Sequence, residues 1–419
     1  MTAAWTSLAT RLFDDIAALT RDPDVGITRE CYGESETRAI RYLRQFAQDA
    51  GLDSYADRAG NIVFQRPNDQ GRPAMWCGSH IDSVPQGGNF DGLAGIIAGV
   101  MCLKKLHDAN VELPYDVRVI GLRGEESAWF GKAYIGSRAL SGGLTAHDLL
   151  LTKRGTGVTL ADSLKAVGAD LEAIQRQEWL IPTEQFAGYL ELHIEQADSL
   201  EHCHQALGVV PGIRGNLRHN VVHCIGEDGH SGAVSREERH DAVFAVSELI
   251  NAIDQRWREW GSNHHDLVVT VGMLGTDAAH HAVSRIPGNV SFSLEMRSLH
   301  SDTLDAFYHC VQQERLRIEA ERQVRFKFDQ RIDTPPAAMH TPWVAHAQAL
   351  LQHKGLEGRL TPSGAGHDAA VFANAGIPSI MLFVRNQHGS HNPHEAMHID
   401  DFIVATDVLY GMLNTLHSA

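Results

Sequence analysis

The stretch PAMWCGSHIDSVPQGGNFDGLAGIIAGVMCLKKLHDA (Pro73–Ala109) decides the fold class of this chain. An apolar run ends at the polar residues His80 and Asp82, a glycine-bearing turn follows, and residues 91–109 place apolar and small residues at helical spacing. This order predicts a strand, a loop and a helix. In an open α/β sheet, ligands gather at the carboxyl ends of strands. We therefore expect an α/β domain with a site beside His80.

The alternation of helix and strand continues on both sides of this stretch. Apolar periodicity predicts helices over residues 1–23, 37–50 and 341–355, and strands over residues 61–67, 115–124 and 377–384. The strand before Glu125 and the strand before His391 both end in polar loops. We expect residues 1–214 and 331–419 to form one catalytic domain in two parts.

Residues 215–330 have a different element order. The pattern predicts strand, helix, strand, strand, helix and strand over residues 220–226, 237–259, 266–274, 289–297, 302–320 and 323–328. This βαββαβ order is typical of a compact α+β unit whose two helices cover one face of an antiparallel sheet. We interpret it as an inserted second domain. The polar tract over residues 152–184 is interpreted as an excursion on the surface.

Composition excludes several classes of function. Among 419 residues, 52 are acidic and 36 basic, which gives a net charge of −16 and no general basic field for nucleic acid or anionic membrane. The opening segment lacks the features of a secretory signal, and no later stretch approaches the roughly 20 apolar residues that cross a bilayer. The six cysteines form no CxxC pair. We expect a cytoplasmic protein without nucleic-acid or membrane partners.

The segment GSHIDSVPQGGNFDG carries candidate metal ligands. His80 and Asp91 offer nitrogen and oxygen donors that suit zinc, manganese or cobalt. Asp82 lies two residues from His80 and is expected to hydrogen-bond the second ring nitrogen with its side chain. A polar loop closed by its glycines is the alternative interpretation.

The pair Glu125–Glu126 can serve two purposes. Adjacent residues of an extended chain point in opposite directions, so one carboxylate can bind metal while the other faces a water molecule. An acidic helix start is the alternative.

Two further histidines extend the set. In YLELHIEQ, His193 shares one face of a strand with Glu191 and Glu195, although a core histidine is an alternative. In GSHNPHE, His391 follows a buried strand, although a turn closed by Asn392 and Pro393 is an alternative. Taken together, these residues suffice for two metals bridged by one carboxylate and a water, with a nearby carboxylate as proton acceptor.

The chain resembles the metallopeptidase-like amidohydrolases that include N-carbamoyl-L-amino-acid hydrolases, β-ureidopropionases and allantoate amidohydrolases. The resemblance runs over nearly the whole chain and in the family's order. It rests on GSHIDSVPQGGNFDG, EESAWFGKAYIGSRAL, ELHIEQADSLE, GVVPGI, GHSGAVSREERHDA, SRIPG, SGAGHDA and GSHNPHE.

The resemblance implies a binuclear metal centre. Glu125 would be the general base, Asp82 would belong to the catalytic set, and Asp91 would bridge the metals. Each subunit would hold two divalent ions, with zinc favoured and manganese, cobalt or nickel accepted. The implied ligands are His80, Asp91, Glu126, His193 and His391. The implied fold is a catalytic α/β domain with an inserted α+β dimerisation domain.

The resemblance also implies a substrate pocket and a homodimer. Arg297 would bind a substrate carboxylate, and His230 would reach the neighbouring subunit's site to stabilise an oxyanion and act in catalysis. A surface ion pair for Arg297 and a turn position for His230 are the alternatives. The implied substrate-binding residues are Gln196, His230, Ser284, Arg297, Gly364, Ala365 and His367.

Some positions depart from the family pattern. Ser284 replaces a usual asparagine, Ser235 and Arg236 replace a proline and a methionine, and Ser127 replaces a glycine. The expected reaction is hydrolysis of a linear ureido or amide C–N bond in a small N-carbamoyl-L-amino acid or related ureido acid that carries a carboxylate. Allantoate hydrolysis, a dipeptidase or aminopeptidase activity, and a non-catalytic dimeric scaffold are the alternatives.

Overall fold

The computed structural model describes residues 3–416. Within this range the chain forms two compact units, one within Met1–Pro211 and Ala338–Ala419 and the other over Gly212–Ala337. In the described range, no helix is both long and apolar enough to span a lipid bilayer.

The first part of the first unit mixes helices and strands, and it contains the helices and strands predicted for residues 1–124. Its helices are α1 (Ala3–Thr20), α2 (Glu34–Asp49), α3 (Leu93–Asp108), α4 (Ile135–Leu140), α5 (Leu160–Ala166), α6 (Leu171–Gln175) and α7 (Ser199–His202). Its strands are β1 (Asp53–Ala56), β2 (Ile62–Gln65), β3 (Ala74–His80), β4 (Asp116–Leu122), β5 (Phe186–Ile194) and β6 (Leu207–Val210).

The second unit is rich in strands. Its strands are β7 (Gly212–Ile213), β8 (Gly215–Ile225), β9 (Gly229–His230), β10 (Val268–Thr270), β11 (Leu274–Gly275), β12 (Arg285–Ile286), β13 (Asn289–Ser298), β14 (Arg325–Phe328) and β15 (Ile332–Thr334). Its helices are α8 (Ala242–Ser262) and α9 (Ser301–Arg322).

The chain then completes the first unit. The elements from the unit boundary onward are β16 (Ala337–Ala338), α10 (Thr341–His353), α11 (Asp368–Asn374), β17 (Ser379–Val384) and α12 (Ile399–Thr415).

A mixed sheet forms the centre of the first unit. Within residues 3–416 its seven strands are ordered β1-β2-β4-β3-β5-β17-β6. The four inner strands β4, β3, β5 and β17 run parallel, whereas β1, β2 and β6 pair antiparallel at the two sides. Every residue of β3, β5 and β17 is buried. This burial explains their continuous apolar runs, which are typical of parallel strands covered on both faces.

Small residues let helix α3 lie directly on this sheet. A Cβ atom added at Gly95 would lie 2.2 Å from the carbonyl oxygen of Leu192, and one added at Gly99 would lie 2.8 Å from Val119 Cγ1. The helix therefore approaches β4 and β5 more closely than one carrying larger residues could.

The tract over residues 152–184 is more structured than predicted. It contains α5 and α6, which bury Leu160, Leu164 and Ile174. Thr159 caps α5 by accepting a hydrogen bond from the Asp162 N–H. Its polar composition reflects the exposed faces of two short helices.

The second unit has the predicted βαββαβ order. Over residues 212–337 its sheet is ordered β10-β13-β8-β14 with antiparallel pairs, and α8 and α9 pack on it. Strand β13 alternates buried and less buried residues, and its Phe292, Leu294 and Met296 join one apolar core with Leu249 and Phe307 of the helices. One face of the sheet is thus covered by both helices.

The boundaries of the second unit differ from residues 215 and 330. The unit continues to Ala337 because β15 pairs with β8, from Ile332–Arg218 to Thr334–Asn216. Helix α8 also begins later than predicted, because the Asp241 carboxylate accepts the N–H groups of Val243 and Phe244 as an N-cap.

We predict opposite stability effects for alanine at two helical glycines. Gly95→Ala forces a methyl group against the Leu192 carbonyl and should lower the free energy of unfolding by about 1–3 kcal/mol. In Gly411→Ala of α12 the added methyl group meets only Leu350 methyl groups at 3.8 Å or more, so this variant should raise the free energy of unfolding by about 0.5–1 kcal/mol. Urea unfolding followed by circular dichroism measures both. Equal effects would contradict the close approach of α3.

Candidate metal centre

Polar side chains lie at or after the ends of the four inner strands, at one edge of the sheet. His80 is the last residue of β3, and His193 lies next to the end of β5. Glu125 and Glu126 follow β4, and His391 follows β17. Because parallel strands end at the same edge, residues distant in sequence meet there.

Backbone carbonyls fix the orientation of the two buried imidazoles. His80 Nδ1 lies 3.0 Å from the carbonyl oxygen of Asp82, and His193 Nδ1 lies 2.8 Å from that of Ile194. A carbonyl oxygen only accepts, so in the neutral rings Nδ1 carries the proton and Nε2 presents a lone pair. The Gly92 N–H donates to His193 Nε2 at 3.2 Å, which agrees with this tautomer.

The two Nε2 atoms converge with a carboxylate oxygen. They lie 3.4 Å apart, and Asp91 Oδ1 lies 3.4 Å from His80 Nε2 and 3.0 Å from His193 Nε2. We call His80, Asp91 and His193 the inner group. All three residues are buried.

The second oxygen of Asp91 belongs to another group of ligands. Asp91 Oδ2 lies 3.4 Å from His391 Nε2, which in turn lies 3.1 Å from Glu126 Oε1. We call Asp91, Glu126 and His391 the outer group, because His391 is half exposed whereas the inner group is buried. One carboxylate therefore joins two groups of possible metal ligands.

The chemistry of the inner group fits a divalent cation. Asp91 Oδ1 is buried and has no hydrogen-bond partner in the part of the chain that the structure describes. A buried polar atom without a partner is costly, and a cation bound between Asp91 Oδ1 and the two Nε2 atoms would supply one. Imidazole nitrogen and carboxylate oxygen are preferred ligands of zinc and related metals.

The electrostatics of the edge also favour positive charge. Burial raises the pKa of Asp82 to about 7 and that of Glu395 to about 7, and neighbouring carboxylates add to both shifts. Burial alone would lower the pKa of His80, but the adjacent carboxylate of Asp91 and the charges of Glu125 and Asp82 raise it well above the usual range. The surroundings therefore stabilise a proton or another cation at this point.

Gly92 leaves room for the His80 ring. Its φ is +68°, and an added Cβ would lie 2.5 Å from His80 Cε1 and Nδ1. Only glycine combines this left-handed backbone with such a close approach. The turn after Asp91 can therefore fold directly over the imidazole.

The predicted side-chain hydrogen bond between Asp82 and His80 is wrong. Asp82 Oδ1 lies 3.7 Å from His80 Nδ1, and the Asp82 carbonyl takes this partner instead. The carboxylate accepts the N–H groups of Gly124, Glu125 and Glu126 at 2.8, 3.2 and 3.2 Å. Asp82 thus orients His80 with its backbone and the Glu125–Glu126 loop with its side chain.

Glu125 lies beside the inner group. Its Oε2 is 3.9 Å from His80 Nε2, and the residue is buried. Burial raises its pKa well above the usual range. Glu126, by contrast, contacts His391, so the two neighbouring carboxylates have separate surroundings.

Glu395 is a residue of this edge that the sequence analysis missed. Its Oε1 accepts the N–H groups of Phe90 and Asp91 at 2.8 and 3.2 Å, and its Oε2 accepts the Ser390 hydroxyl at 2.9 Å. The same Ser390 oxygen also contacts Asp91 Oδ2, so its single proton is shared between the two carboxylates. Glu395 therefore links the loop of Asp91 to the loop of His391. Its position four residues after His391 in GSHNPHE was the sequence feature that could have identified it.

The structure brings two predicted substrate-binding residues to this edge. Gln196 Nε2 donates to Asp91 Oδ2 at 2.9 Å, while its Oε1 is buried without a hydrogen-bond partner in the described part of the chain. His367 is buried, its ring lies 4.5 Å from that of His193 between centroids, and its Nε2 is 3.0 Å from Ser363 Oγ. Burial lowers the pKa of His367 well below the usual range.

Gly364 and Ala365 belong to the loop before α11. The Ser363 hydroxyl donates to the carbonyl oxygen of Ala365 at 2.7 Å, which closes this loop tightly. Potential ligand atoms of His367, Glu191 and His193 also lie within 4.8 Å of one another. However, both carboxylate oxygens of Glu191 already accept hydrogen bonds, one from the Ser79 hydroxyl and one from the Ala369 N–H.

The remaining predicted residues lie in the second unit. His230 of β9 pairs with Arg285 of β12, and the Ser231 N–H donates to the carbonyl oxygen of Ser284 at 2.9 Å. His230 and Ser284 are therefore close to each other and exposed. Arg297 lies on β13, where its Nη2 is 3.0 Å from Glu295 Oε1.

Comparison with known families decides the classification. The sequence profile of peptidase family M20/M25/M40 matches residues 76–415. The chain belongs to peptidase family M20. The matched range includes most of β3, all of β5 and β17, and all residues of the inner and outer groups.

Several characterised or solved M20-like proteins match along most of their length. An N-carbamoyl-L-amino acid amidohydrolase from Geobacillus stearothermophilus is 30% identical over 94% of this chain and 95% of the relative. An allantoate amidohydrolase from Escherichia coli is 29% identical over 94% of each chain. A hydantoinase/carbamoylase family amidase from Burkholderia ambifaria has a TM-score of 0.85 at 26% identity, covering 97% of this chain and 95% of that one.

We predict that this M20 protein releases protons when it binds metal. In the metal-free protein, hydrogen bonds with Asp91 and Glu126 raise the pKa of His391 to about 10. The imidazole is then protonated at pH 7, and a metal ion must displace that proton, so affinity should fall as pH falls. Zinc titration calorimetry in buffers of different ionisation enthalpy measures the release.

His391→Ala is the matched variant for this experiment. It should release fewer protons per ion and bind fewer ions per chain than the wild type. An enthalpy that is independent of the buffer would contradict the prediction.

Proposed function

We propose that this chain is a metal-dependent amidohydrolase that cleaves a linear C–N bond in an N-carbamoyl-L-amino acid or a related ureido acid. The observation that carries the proposal is the sharing of Asp91 by the inner and outer groups beside the buried Glu125. Membership of peptidase family M20 and the names of the matched relatives support the same chemistry.

Two divalent ions per subunit fit the ligand groups. His80, His193 and Asp91 Oδ1 would hold one ion, and Asp91 Oδ2, Glu126 and His391 would hold the other. Mixed nitrogen and oxygen ligands favour zinc and also suit manganese, cobalt or nickel. When bound, the ions acidify a water molecule and polarise the substrate carbonyl.

Glu125 serves as the general base. Its carboxylate lies 3.9 Å from His80 Nε2, beside the inner group without belonging to it, so it is available to accept a proton. It takes a proton from the attacking water and transfers it to the leaving nitrogen. The C–N bond then breaks to give an amine and a carbamic or carboxylic acid. Asp82 assists by holding the backbone of the Glu125–Glu126 loop.

Gln196 and the loop of His367 bind the substrate's amide or ureido group. The buried Gln196 Oε1 is an acceptor suited to a ureido N–H. His367 is neutral because burial lowers its pKa, so it can donate or accept one hydrogen bond without adding charge. Gly364 and Ala365 provide backbone groups on the same loop.

Arg297 and His230 complete the proposed set of substrate-binding residues. Arg297 exchanges its ion pair with Glu295 for a bidentate pair with the substrate carboxylate. His230, supported by Ser284, donates to the developing oxyanion in the site of the neighbouring subunit. Activity then requires a homodimer.

Allantoate is the second candidate substrate. It carries ureido groups and a carboxylate, and a relative with the name allantoate amidohydrolase matches 94% of this chain. Ser284, which is shorter than asparagine and lacks its amide, gives the pocket a different hydrogen-bonding pattern. A non-catalytic dimeric scaffold is less well supported, because Glu125 and both ligand groups are intact. A dipeptidase would use the same metal chemistry and would differ by preferring a peptide bond over a carbamoyl group.

The protein acts in the cytoplasm on a small molecule. All six cysteines are free, and Cys31, Cys77, Cys102 and Cys224 are buried, which suits a reducing compartment. The net charge of −16 argues against nucleic acid or anionic membrane as a partner.

We predict that Glu125→Gln separates metal binding from chemistry. The variant keeps the size of the side chain but cannot accept the proton, so kcat should fall by about 10²–10⁴-fold while metal content stays at the wild-type level. Ammonia release from N-carbamoyl-L-amino acids, β-ureidopropionate and allantoate measures kcat, and metal analysis measures content.

Glu172→Gln in α6 is the matched control, because Glu172 is exposed and distant in the sequence from every ligand. It should retain wild-type turnover. A fully active Glu125→Gln variant rules out the proposed base, and a wild type that turns over none of these compounds rules out the substrate class.

Mixing two inactive variants tests the homodimer. If His230 acts in the neighbouring subunit, a mixed dimer of His230→Ala and Glu125→Gln has one site with both residues intact. Equal mixing after subunit exchange should restore about a quarter of wild-type activity. Each variant alone should remain inactive. No recovery despite proven exchange would mean that His230 serves its own subunit or none.

A further inference from the structure

Arg29 is a fully buried arginine close to the metal centre in the first unit. Its exposed fraction is 0%. Its Nε donates to the carbonyl oxygen of Ile81 at 2.7 Å, and Nη1 and Nη2 donate to Oδ1 and the carbonyl oxygen of Asn89 at 3.0 and 3.3 Å. Ile81 directly follows His80, and Asn89 lies two residues before Asp91. One guanidinium therefore holds both ends of the loop that joins two inner-group ligands.

The backbone around Arg29 strengthens this attachment. Ile27 and Gly87 exchange N–H···O hydrogen bonds at 2.9 Å in both directions. The Arg29 N–H donates to Ser83 Oγ at 2.9 Å, and the Ser83 N–H donates to the Arg29 carbonyl oxygen at 3.0 Å. Residues 27–29 are thus held alongside residues 81–89 by these hydrogen bonds.

The charge of Arg29 is also significant. A buried cation that donates to neutral oxygens is costly unless anions lie nearby. The negative charges of Glu395, Asp91 and Asp82 all stabilise it. Arg29 thus places a permanent positive charge behind the carboxylates without occupying a ligand atom of Asp91.

We propose that Arg29 is a positioning residue for the metal centre, which sets the separation of His80 and Asp91 by holding Ile81 and Asn89 with one planar guanidinium. This inference rests on the proposed metal centre. The planar fork is the decisive property, since a lysine ammonium has the same charge but cannot span the three acceptors with the same fixed geometry.

The expected effect is a loss of metal affinity. If the loop between His80 and Asp91 relaxes, the lone pairs of the inner group no longer converge. A metal ion must then bring these ligands together as it binds, which lowers its affinity. Residues that orient metal ligands typically contribute about 10–100-fold to metal affinity. A purely structural arginine would alter thermal stability and leave the affinity of the folded protein unchanged.

The test compares Arg29→Lys with Arg72→Lys in the full-length protein. Arg72 donates to two carbonyl oxygens, of Leu113 and Tyr115, and to the Asp116 carboxylate, just before the start of β3 and away from its ligand-bearing end. Zinc is titrated calorimetrically into each metal-free protein at 25 °C after circular dichroism has established folding. Arg29→Lys should raise the zinc Kd by about 10–100-fold, whereas Arg72→Lys should lower Tm without a change in Kd.

An Arg29→Lys variant with the wild-type Kd overturns the inference, as does an equal rise in Kd for Arg72→Lys. A wild type that binds no zinc overturns the metal centre itself, so the two failures are distinguishable.

Asn89→Ala keeps the proposal testable if Arg29→Lys does not fold. It removes the Oδ1 acceptor and leaves Arg29 in place, and Asn89 is only partly buried. Its zinc Kd should rise above the wild-type value with the number of bound ions unchanged. A folded Asn89→Ala variant with the wild-type zinc Kd overturns the proposed positioning role of the Arg29 guanidinium.

Discussion

The sharing of one buried carboxylate is the constraint on which the site depends. Asp91 offers Oδ1 to His80 and His193 and Oδ2 to His391, so three strand ends must converge on a single side chain. The parallel order of β4, β3, β5 and β17 provides that convergence. Gly92 is required for the same reason, because a side chain there would push the turn away from His80. Fold and chemistry are thus coupled at one residue.

Much of this arrangement could be predicted from the sequence because strand ends are local signals. An apolar run that stops at His80 or before Glu125 identifies both the strand and its polar edge, and the βαββαβ order of the second unit follows from periodicity. The extent of that unit could not be predicted, because the pairing of β15 with β8 joins residues far apart in the chain.

Contacts that depend on three-dimensional folding were also beyond the sequence. Asp82 was expected to orient His80 with its carboxylate, yet its backbone does so, because the carboxylate accepts three N–H groups of residues 124–126. Arg29 precedes His80 by about fifty positions and carries no local motif of metal chemistry. Glu395 was within a quoted motif, but only the folded chain brings its oxygens to the N–H groups of Phe90 and Asp91.

The difference in exposure between the inner and outer groups has a kinetic consequence. His80 and His193 are almost inaccessible, whereas half of the His391 side chain faces solvent. In the proposed two-ion site, ion exchange with the surroundings would therefore start at the outer position, while the inner position would equilibrate slowly. A chain purified from metal-poor medium would retain a singly loaded form, and the identity of the outer ion would follow the supply of the cell rather than the preference of the protein.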